Sequence, residues 1–286
     1  MNIQQVGALD SFFELGGHSL LATQVLSRLR TVMRVELSLQ EMFDLGTVEA
    51  LAGRIDALVA LRPGEVLEPV RASRERPSSL VPCERQAELS FAQQRLWFLD
   101  QYAPGSPLYN LPAAIRLEGM LDVAALERAF TELVCRHQSL RTVFPARDGR
   151  PLQVVAHAGN APMGLEVEDL RYLPASEREA LGLRAVREEA RKPFDLVRGP
   201  LLRARLLRLQ EREHLVVVTM HHIVSDAWSI AVLIREMVAL YEAFSVGRPS
   251  PLPELPIQYV DHAVRQRDRL RGDALERQVE WWRGQL

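Results

Sequence analysis

The sequence predicts a multidomain chain, in which a short all-α helical bundle is followed by an α/β domain with a mixed sheet. Residues 10–57 repeat apolar side chains about every 3.6 positions, which is the spacing of amphipathic helices. Residues 58–88 contain prolines and no apolar period, so a linker is predicted there. From residue 89 onwards predicted strands and helices mix, which is typical of an α/β domain.

Composition excludes several classes of protein. The 286 residues are 47% hydrophobic and 25% charged, which is the balance of a folded globular chain. The 35 basic and 37 acidic residues nearly cancel, which argues against general nucleic-acid binding. Two cysteines cannot build a disulfide framework, and they lack metal-site spacing. No apolar run reaches the roughly 18 residues of a membrane span, and residues 1–7 do not resemble a secretory signal, so a cytoplasmic protein is predicted.

Local signals place the elements of each part. In the helical part, Ser38 stands three residues before Glu41, the spacing of a capping box, and Thr47 after Gly46 indicates another helix start. The apolar, β-branched run 215–220 predicts a buried central strand. In the α/β part, helices are predicted at 90–101, 122–137, 175–191, 227–246 and 272–284, and strands near 109–118, 151–156, 164–168, 200–209 and 214–220.

Ser19 is the first candidate functional residue. It ends the segment DSFFELGGHS, residues 10–19, and opens a predicted helix. Gly16 and Gly17 permit positive φ and a close approach to the backbone. The start of a helix favours an anion, so a phosphodiester on the Ser19 hydroxyl would suit this position. The alternative is that Ser19 only caps the helix.

The string DSFFELGGHSLL, residues 10–21, resembles the core of peptidyl carrier domains of nonribosomal peptide synthetases. In that family the serine of this motif carries 4′-phosphopantetheine, so the resemblance implies attachment at Ser19. It further implies that residues 1–57 form a carrier domain without its first helix, since only nine residues precede Asp10.

A second motif, HHIVSDAWS, occupies residues 221–229 directly after the predicted central strand. Two histidines at a strand end can project into a cleft, and histidine suits proton transfer near neutral pH. Asp226 could orient an imidazole or brace the loop through an arginine. The alternative is a structural histidine pair. A metal site is not expected, because adjacent histidines point different ways and no further Cys or His completes a ligand set.

This segment resembles the His-His-x-x-x-Asp-Gly signature of condensation domains, within the chloramphenicol-acetyltransferase-like superfamily. Three further strings resemble motifs of the same family in the same order: SFAQQRLWFL at 90–99, RHQSLRTVF at 136–144 and, more loosely, QYVDHA at 258–263. The resemblance implies a chloramphenicol-acetyltransferase-like fold for residues 89–286. These would be the N-terminal lobe of a condensation domain, with the second lobe absent, and little or no turnover is expected of this chain alone.

The resemblance also implies the roles of individual residues. His222 corresponds to the active-site histidine, and His221 and Asp226 to supports of the active-site loop. Arg141 is a further candidate for bracing Asp226 or the cleft. Ala227 stands where the family has glycine, which costs stability only if φ there is positive.

The implied reaction is amide formation in nonribosomal peptide synthesis. An acceptor amine attacks an aminoacyl or peptidyl thioester on the carrier, with His222 either as a general base or as a positioning group. The implied partners are an adenylation domain, an acceptor carrier domain and a phosphopantetheinyl transferase, and neither nucleic acid nor membrane is expected. Two alternatives remain open, namely an epimerisation domain and a carrier joined to an inactive lobe that serves as a docking scaffold.

Overall fold

The computed structural model describes residues 6–60, 83–160 and 163–285. Contacts group the chain into two compact units. One comprises Met1–Leu80 with Trp97–Pro104 and Ala146–Pro151, and the other comprises Val81–Leu96, Gly105–Pro145 and Leu152–Leu286. Most of the predicted linker, residues 61–82, lies outside the described residues.

The helical part contains α1 (Ser19–Met33), α2 (Leu39–Leu45) and α3 (Val48–Ala60). The predicted capping box is present, since the Ser38 hydroxyl accepts from the Glu41 N–H at 3.1 Å and the Glu41 carboxylate accepts from the Ser38 N–H at 2.8 Å. The Thr47 hydroxyl accepts from the Ala50 N–H at 3.2 Å and so caps the start of α3. These caps set the helices so that apolar side chains from all three form one core: Ala22, Val35, Leu37, Leu39, Met42, Leu51 and Ile55.

The α/β part follows in a mixed order of strands and helices. Its bounds are β1 (Cys83–Glu88), α4 (Phe91–Tyr102), β2 (Asn110–Glu118), α5 (Val123–Arg136), β3 (Thr142–Val143), β4 (Ala146–Arg147), β5 (Arg150–Ala156), β6 (Glu166–Asp169), α6 (Ala175–Arg191), β7 (Leu202–Gln210), β8 (Glu213–His221), α7 (Ala227–Ser245), α8 (Tyr259–Arg269) and α9 (Asp273–Arg283).

The main sheet has the strand order β2-β8-β7-β6. β8 pairs antiparallel with both β2 and β7, whereas β6 pairs parallel with β7, so the sheet is mixed as predicted. The prediction that 214–220 is an interior strand is confirmed. Alternate residues of β7 and β8 face opposite layers. One face packs against α5 and α7 through residues such as Leu206 and Val218, and the other packs against α6 through Leu207.

The predicted linker is too long at both ends. Helix α3 continues to Ala60, and Cys83–Glu88 forms β1, which pairs antiparallel with β5 in a smaller sheet of order β1-β5-β3. The strand has a mostly exposed burial pattern, so it carries little of the apolar alternation that marks a strand in sequence. Its conformation depends on pairing with β5, which is distant in the chain.

Helix α8 was not among the predicted helices. It buries only Val260 and Ala263, which is too few apolar positions to show a helical period. The helix is instead fixed at its start, where the Asp261 carboxylate accepts from the Gln258 N–H at 2.8 Å in a capping box.

Candidate functional site

The two adjacent histidines lie at the end of β8 and differ in environment. His221 is 3% exposed, whereas His222 is exposed. Both are held through the backbone, because the His221 N–H donates to the Leu201 carbonyl at 3.0 Å and the His222 N–H donates to the Tyr109 carbonyl at 2.8 Å. Leu201 and Tyr109 directly precede the two strands that flank β8. The main sheet therefore fixes the backbone position of His222 from both sides.

The buried ring of His221 anchors the loop. Its Nδ1 accepts from the Ile223 N–H at 3.1 Å, so the ring proton lies on Nε2. The Phe194 ring contacts it edge-on, with ring centroids 6.0 Å apart, and the Tyr109 ring lies at 6.4 Å. Burial, with a smaller contribution from His222, lowers the pKa of His221 to about 4. His221 is therefore neutral near pH 7 and is a structural support rather than a proton carrier.

A second layer of side chains supports Phe194. The Arg203 guanidinium lies 3.7 Å from the centroid of the Phe194 ring, in cation–π geometry. Arg203 also pairs with Glu189 of α6, with 2.9 Å between Nε and the carboxylate. Sequence reasoning missed this layer, because no local pattern links residues that lie in three different segments of the chain.

Asp226 lies at the N-cap of α7, four residues after His222. Its carboxylate accepts from the Ser229 N–H at 2.7 Å and from the Ser229 hydroxyl at 2.6 Å. These hydrogen bonds lower the pKa of Asp226, and the charge of His222 acts in the same direction. Asp226 thus joins the histidine loop to α7. Ala227 is the first residue of that helix and does not have a positive φ, so the methyl group in place of glycine causes no backbone strain.

Arg141 lies elsewhere in the fold. Its guanidinium bonds to the Glu84 carboxylate at 2.5 Å and to the Ala156 carbonyl, so it ties β1 to the end of β5. The hydrogen bonds of Asp226 go to Ser229 instead. The expected brace between Arg141 and Asp226 is therefore not formed, because Arg141 is held 5% exposed against its own acidic partner.

Ser19 is the first residue of α1, as the sequence predicted, and His18 rather than Ser19 is the N-cap. The His18 side chain forms no capping hydrogen bond. The preceding turn is tight. The Gly17 N–H donates to the Phe12 carbonyl at 2.8 Å, and a Cβ on Gly17 would lie 2.3 Å from that oxygen. Gly16 has φ of 85°. Both glycines are thus required for the turn that leads into Ser19.

The lowered pKa of His221 predicts a pH dependence of stability. An unfolded histidine takes up its proton near pH 6.5, whereas folded His221 does so only near pH 4. The unfolded state therefore binds more protons in this window, and the α/β unit loses about 3 kcal/mol of unfolding free energy as pH falls from about 6.5 to about 4. Denaturant unfolding at several pH values across this window measures the loss.

The variant His221→Asn should flatten this pH dependence, since Oδ1 of asparagine can replace Nδ1 as the acceptor for Ile223. His157→Asn is the matched control, because His157 is exposed. Asp226 and Asp261, whose pKa values are lowered by hydrogen bonds, act only at more acidic pH. An equal slope in His221→Asn and in the parent protein would refute this assignment.

Metal clusters and membrane spans are both missing from the described residues. These residues contain no cluster of three or more His, Cys, Asp or Glu side chains suited to a metal ion. Within the same ranges, no helix is both long enough and apolar enough to span a bilayer.

Two family models match the chain. The family described as "Condensation domain" matches residues 83–286, and the one described as "Phosphopantetheine attachment site" matches residues 1–55. Over 286 residues the chain is 47% identical to a linear gramicidin synthase polypeptide of Brevibacillus parabrevis, which is all of this chain and 4% of that protein. It is 39% identical to the phosphinothricin tripeptide synthetase PhsB of Streptomyces viridochromogenes, covering 99% of this chain and 23% of that protein. The chain therefore spans less than a quarter of the length of either relative.

Solved structures show the same fold. The starter condensation domain of rhizomide synthetase RzmA superposes with a TM-score of 0.63 at 21% identity, over 69% of this chain and 47% of that one. The expected condensation-domain fold with a mixed sheet is therefore confirmed, and the helical part is confirmed as a phosphopantetheine attachment domain. Because the condensation model covers most of the chain and the attachment domain precedes it, the chain belongs to the condensation-domain family of nonribosomal peptide synthetases.

Proposed function

We propose that the carrier part of this chain tethers an aminoacyl or peptidyl thioester, and that its condensation part promotes attack on a tethered thioester by the amine of an acceptor carrier. The observation that carries this proposal is His222, an exposed imidazole on a loop whose backbone is fixed by both strands beside β8. Catalysis by proximity requires a group that is both accessible and held in place. His221, with its buried neutral ring, does not meet the first condition.

The carrier part fits the phosphopantetheine group at Ser19. Ser19 begins α1, the His18 side chain does not cap that helix, and the two glycines before His18 add no side chains to the turn. The unpaired N–H groups of a helix start favour a phosphodiester. When bound, the group supplies a long thioester tether.

His222 acts on the acceptor amine. As a general base it would take the ammonium or amine proton as the new C–N bond forms and the thiolate leaves. As a positioning group it would accept a hydrogen bond from the amine and orient it towards the thioester carbonyl. In either role Asp226 acts indirectly, by capping α7 and so fixing the loop, and it is a positioning residue.

The partners follow from the chemistry. The carrier and condensation domains imply interaction with other domains of a synthetase. We infer that these include an adenylation domain that loads the carrier and an acceptor carrier domain, and that a phosphopantetheinyl transferase modifies the carrier. We further propose that this assembly works in the cytoplasm, with no nucleic-acid or membrane partner.

Of the two alternatives, the docking scaffold rested on Ala227. That residue occupies an unstrained helical position, so it gives no reason to expect an inactive loop. Epimerisation is tested by the same assay, because an epimerase inverts the aminoacyl centre and forms no amide. The assay supplies both loaded carriers to this chain extended to the full length of a condensation domain. Amide on the acceptor carrier supports condensation, and inverted stereochemistry without amide supports epimerisation.

We also propose that residues 61–82 form the linker between the carrier and condensation parts. Proline-rich, non-periodic sequence motivates this division, and a family match to the condensation domain begins at residue 83. We expect limited proteolysis to cut first within 61–82 and to leave two resistant fragments, identified by mass spectrometry. Initial cleavage inside β7, β8 or α7 would contradict this division.

A further inference from the structure

A small cavity lies beside the loop that carries His222. It has a volume of about 140 Å³ and lies between α7 and the short 3-10 helix Gln138–Arg141. Val224 and Ser225 of the histidine loop line it, as do Trp228 and Ser229 of the first turn of α7. The cavity is completed by His137, Ser139, Leu140, Met220, Val232 and Leu233. We call it the loop cavity.

The walls of the loop cavity are mainly apolar. Leu140 and Met220 are buried, and Val224 and Val232 are half-buried. An apolar cavity of about 150 Å³ is large enough to bind benzene. The loop cavity therefore has the size and polarity for a branched aliphatic or phenyl side chain.

Two features distinguish the loop cavity from a packing defect. Ser225 is 7% exposed, and its hydroxyl has no hydrogen-bond partner among the described residues, although a buried hydroxyl normally has one. Trp228, in contrast, is 81% exposed, which is unusual for so large an aromatic side chain. A hydrogen-bonding group is thus available inside, and an apolar surface is available beside it.

The far wall is rigid. The Nε2 of His137 lies 2.7 Å from the Glu236 carboxylate, which also pairs with Arg136 at 3.2 Å. Glu236 belongs to α7 and is 7% exposed, so these bonds fix the 3-10 helix side of the cavity to α7. A wall of this kind can discriminate between side chains by size.

We propose that the loop cavity binds the apolar side chain of one of the two aminoacyl groups that are joined, with the Ser225 hydroxyl bonding to the polar part of that group. The inference rests on the proposed function, since only the position of His222 makes an aminoacyl group the expected ligand. Trp228, Val232 and Ser225 are then specificity-determining residues for the side chain next to the new amide.

The test is a binding titration on the intact chain, with turnover not required. Leucinamide and glycinamide represent an acceptor with a free amine, and their N-acetyl derivatives represent a donor with an acylated one. The indole N–H signal of Trp228, assigned with Trp228→Phe, reports binding by two-dimensional NMR. We expect the leucine probe of one pair to bind about tenfold or more tightly than its glycine counterpart. The pair that shows this preference identifies the donor or the acceptor.

Variants test the cavity itself. Val232→Phe should fill it and remove the preference for leucine, with Val232→Leu giving a partial loss. Ala231→Phe is the matched control, because Ala231 is exposed on the same helix and does not line the cavity. Ser225→Ala should weaken the leucine and glycine probes by similar factors without lowering Tm, since its hydroxyl has no partner in the described structure.

Equal binding of leucine and glycine probes in both pairs, or no binding of any probe, would overturn the proposal. So would a preference that survives Val232→Phe. The outcome is separate from that of the catalytic proposal, because loss of the role of His222 in amide formation would leave these titrations unchanged.

Discussion

Replacing His222 with alanine should reduce amide formation by about 10²- to 10⁴-fold, the range expected for loss of a general base. The fold should persist. His222 is exposed, and its hydrogen bond to Tyr109 is formed by the backbone N–H, which alanine retains. The buried anchor of the loop is His221, which the variant leaves in place.

The measurement is the rate of product formation on the acceptor carrier, in the chain extended to the full length of a condensation domain. A melting curve accompanies each variant. His157→Ala is the matched control, because it removes an exposed imidazole from a different loop. Asp226→Ala should both slow the reaction and lower the free energy of unfolding by about 1 kcal/mol, since it removes the cap of α7.

The two roles of His222 can be separated. His222→Gln retains a hydrogen-bonding side chain that does not titrate near neutral pH. Substantial activity in this variant, with a flattened pH profile, would assign a positioning role, whereas loss equal to that of His222→Ala would assign a general base. Normal condensation by His222→Ala would show that His222 is not the catalytic residue.

Sequence was sufficient for the elements that position His222. The apolar run of β8 marks an interior strand by composition alone, and the following Asp226 marks a helix start by its position. These signals are local, since each depends on residues within a few positions. The division of labour between His221 and His222 came from the family resemblance, and the burial of His221 supplies a physical basis for it.

Long-range contacts were beyond the reach of such signals. Arg141 was expected near Asp226 because both lie in family motifs, but its partner Glu84 comes from a strand that the sequence did not predict. The Phe194 ring and the Arg203 guanidinium beside His221 are likewise brought together only by the folded sheet. A pair of residues far apart in sequence leaves no periodic trace, so a charged partner cannot be chosen from composition.

The second large effect is expected at the carrier part. Incubation of the chain with coenzyme A and a phosphopantetheinyl transferase should add one phosphopantetheine, and Ser19→Ala should abolish the addition. The hydroxyl of Ser19 is the expected acceptor of the phosphate, because Ser19 opens α1 directly after a turn that both glycines shape. Ser27→Ala is the matched control, since it removes a hydroxyl from the same helix two turns further on.

Intact-mass measurement reads out this prediction, and circular dichroism shows whether each variant stays helical. Gly17→Ala provides a separate check on the geometry. Its Cβ would lie 2.3 Å from the Phe12 carbonyl, so the turn must move, and we expect both slower modification and a lower Tm. Ser19→Ala should lose the modification while its Tm is retained, because alanine is well tolerated inside a helix. Modification of Ser19→Ala, or a folded parent chain that accepts no phosphopantetheine, would contradict attachment at Ser19. The contrast between the two variants separates a missing nucleophile from a distorted turn.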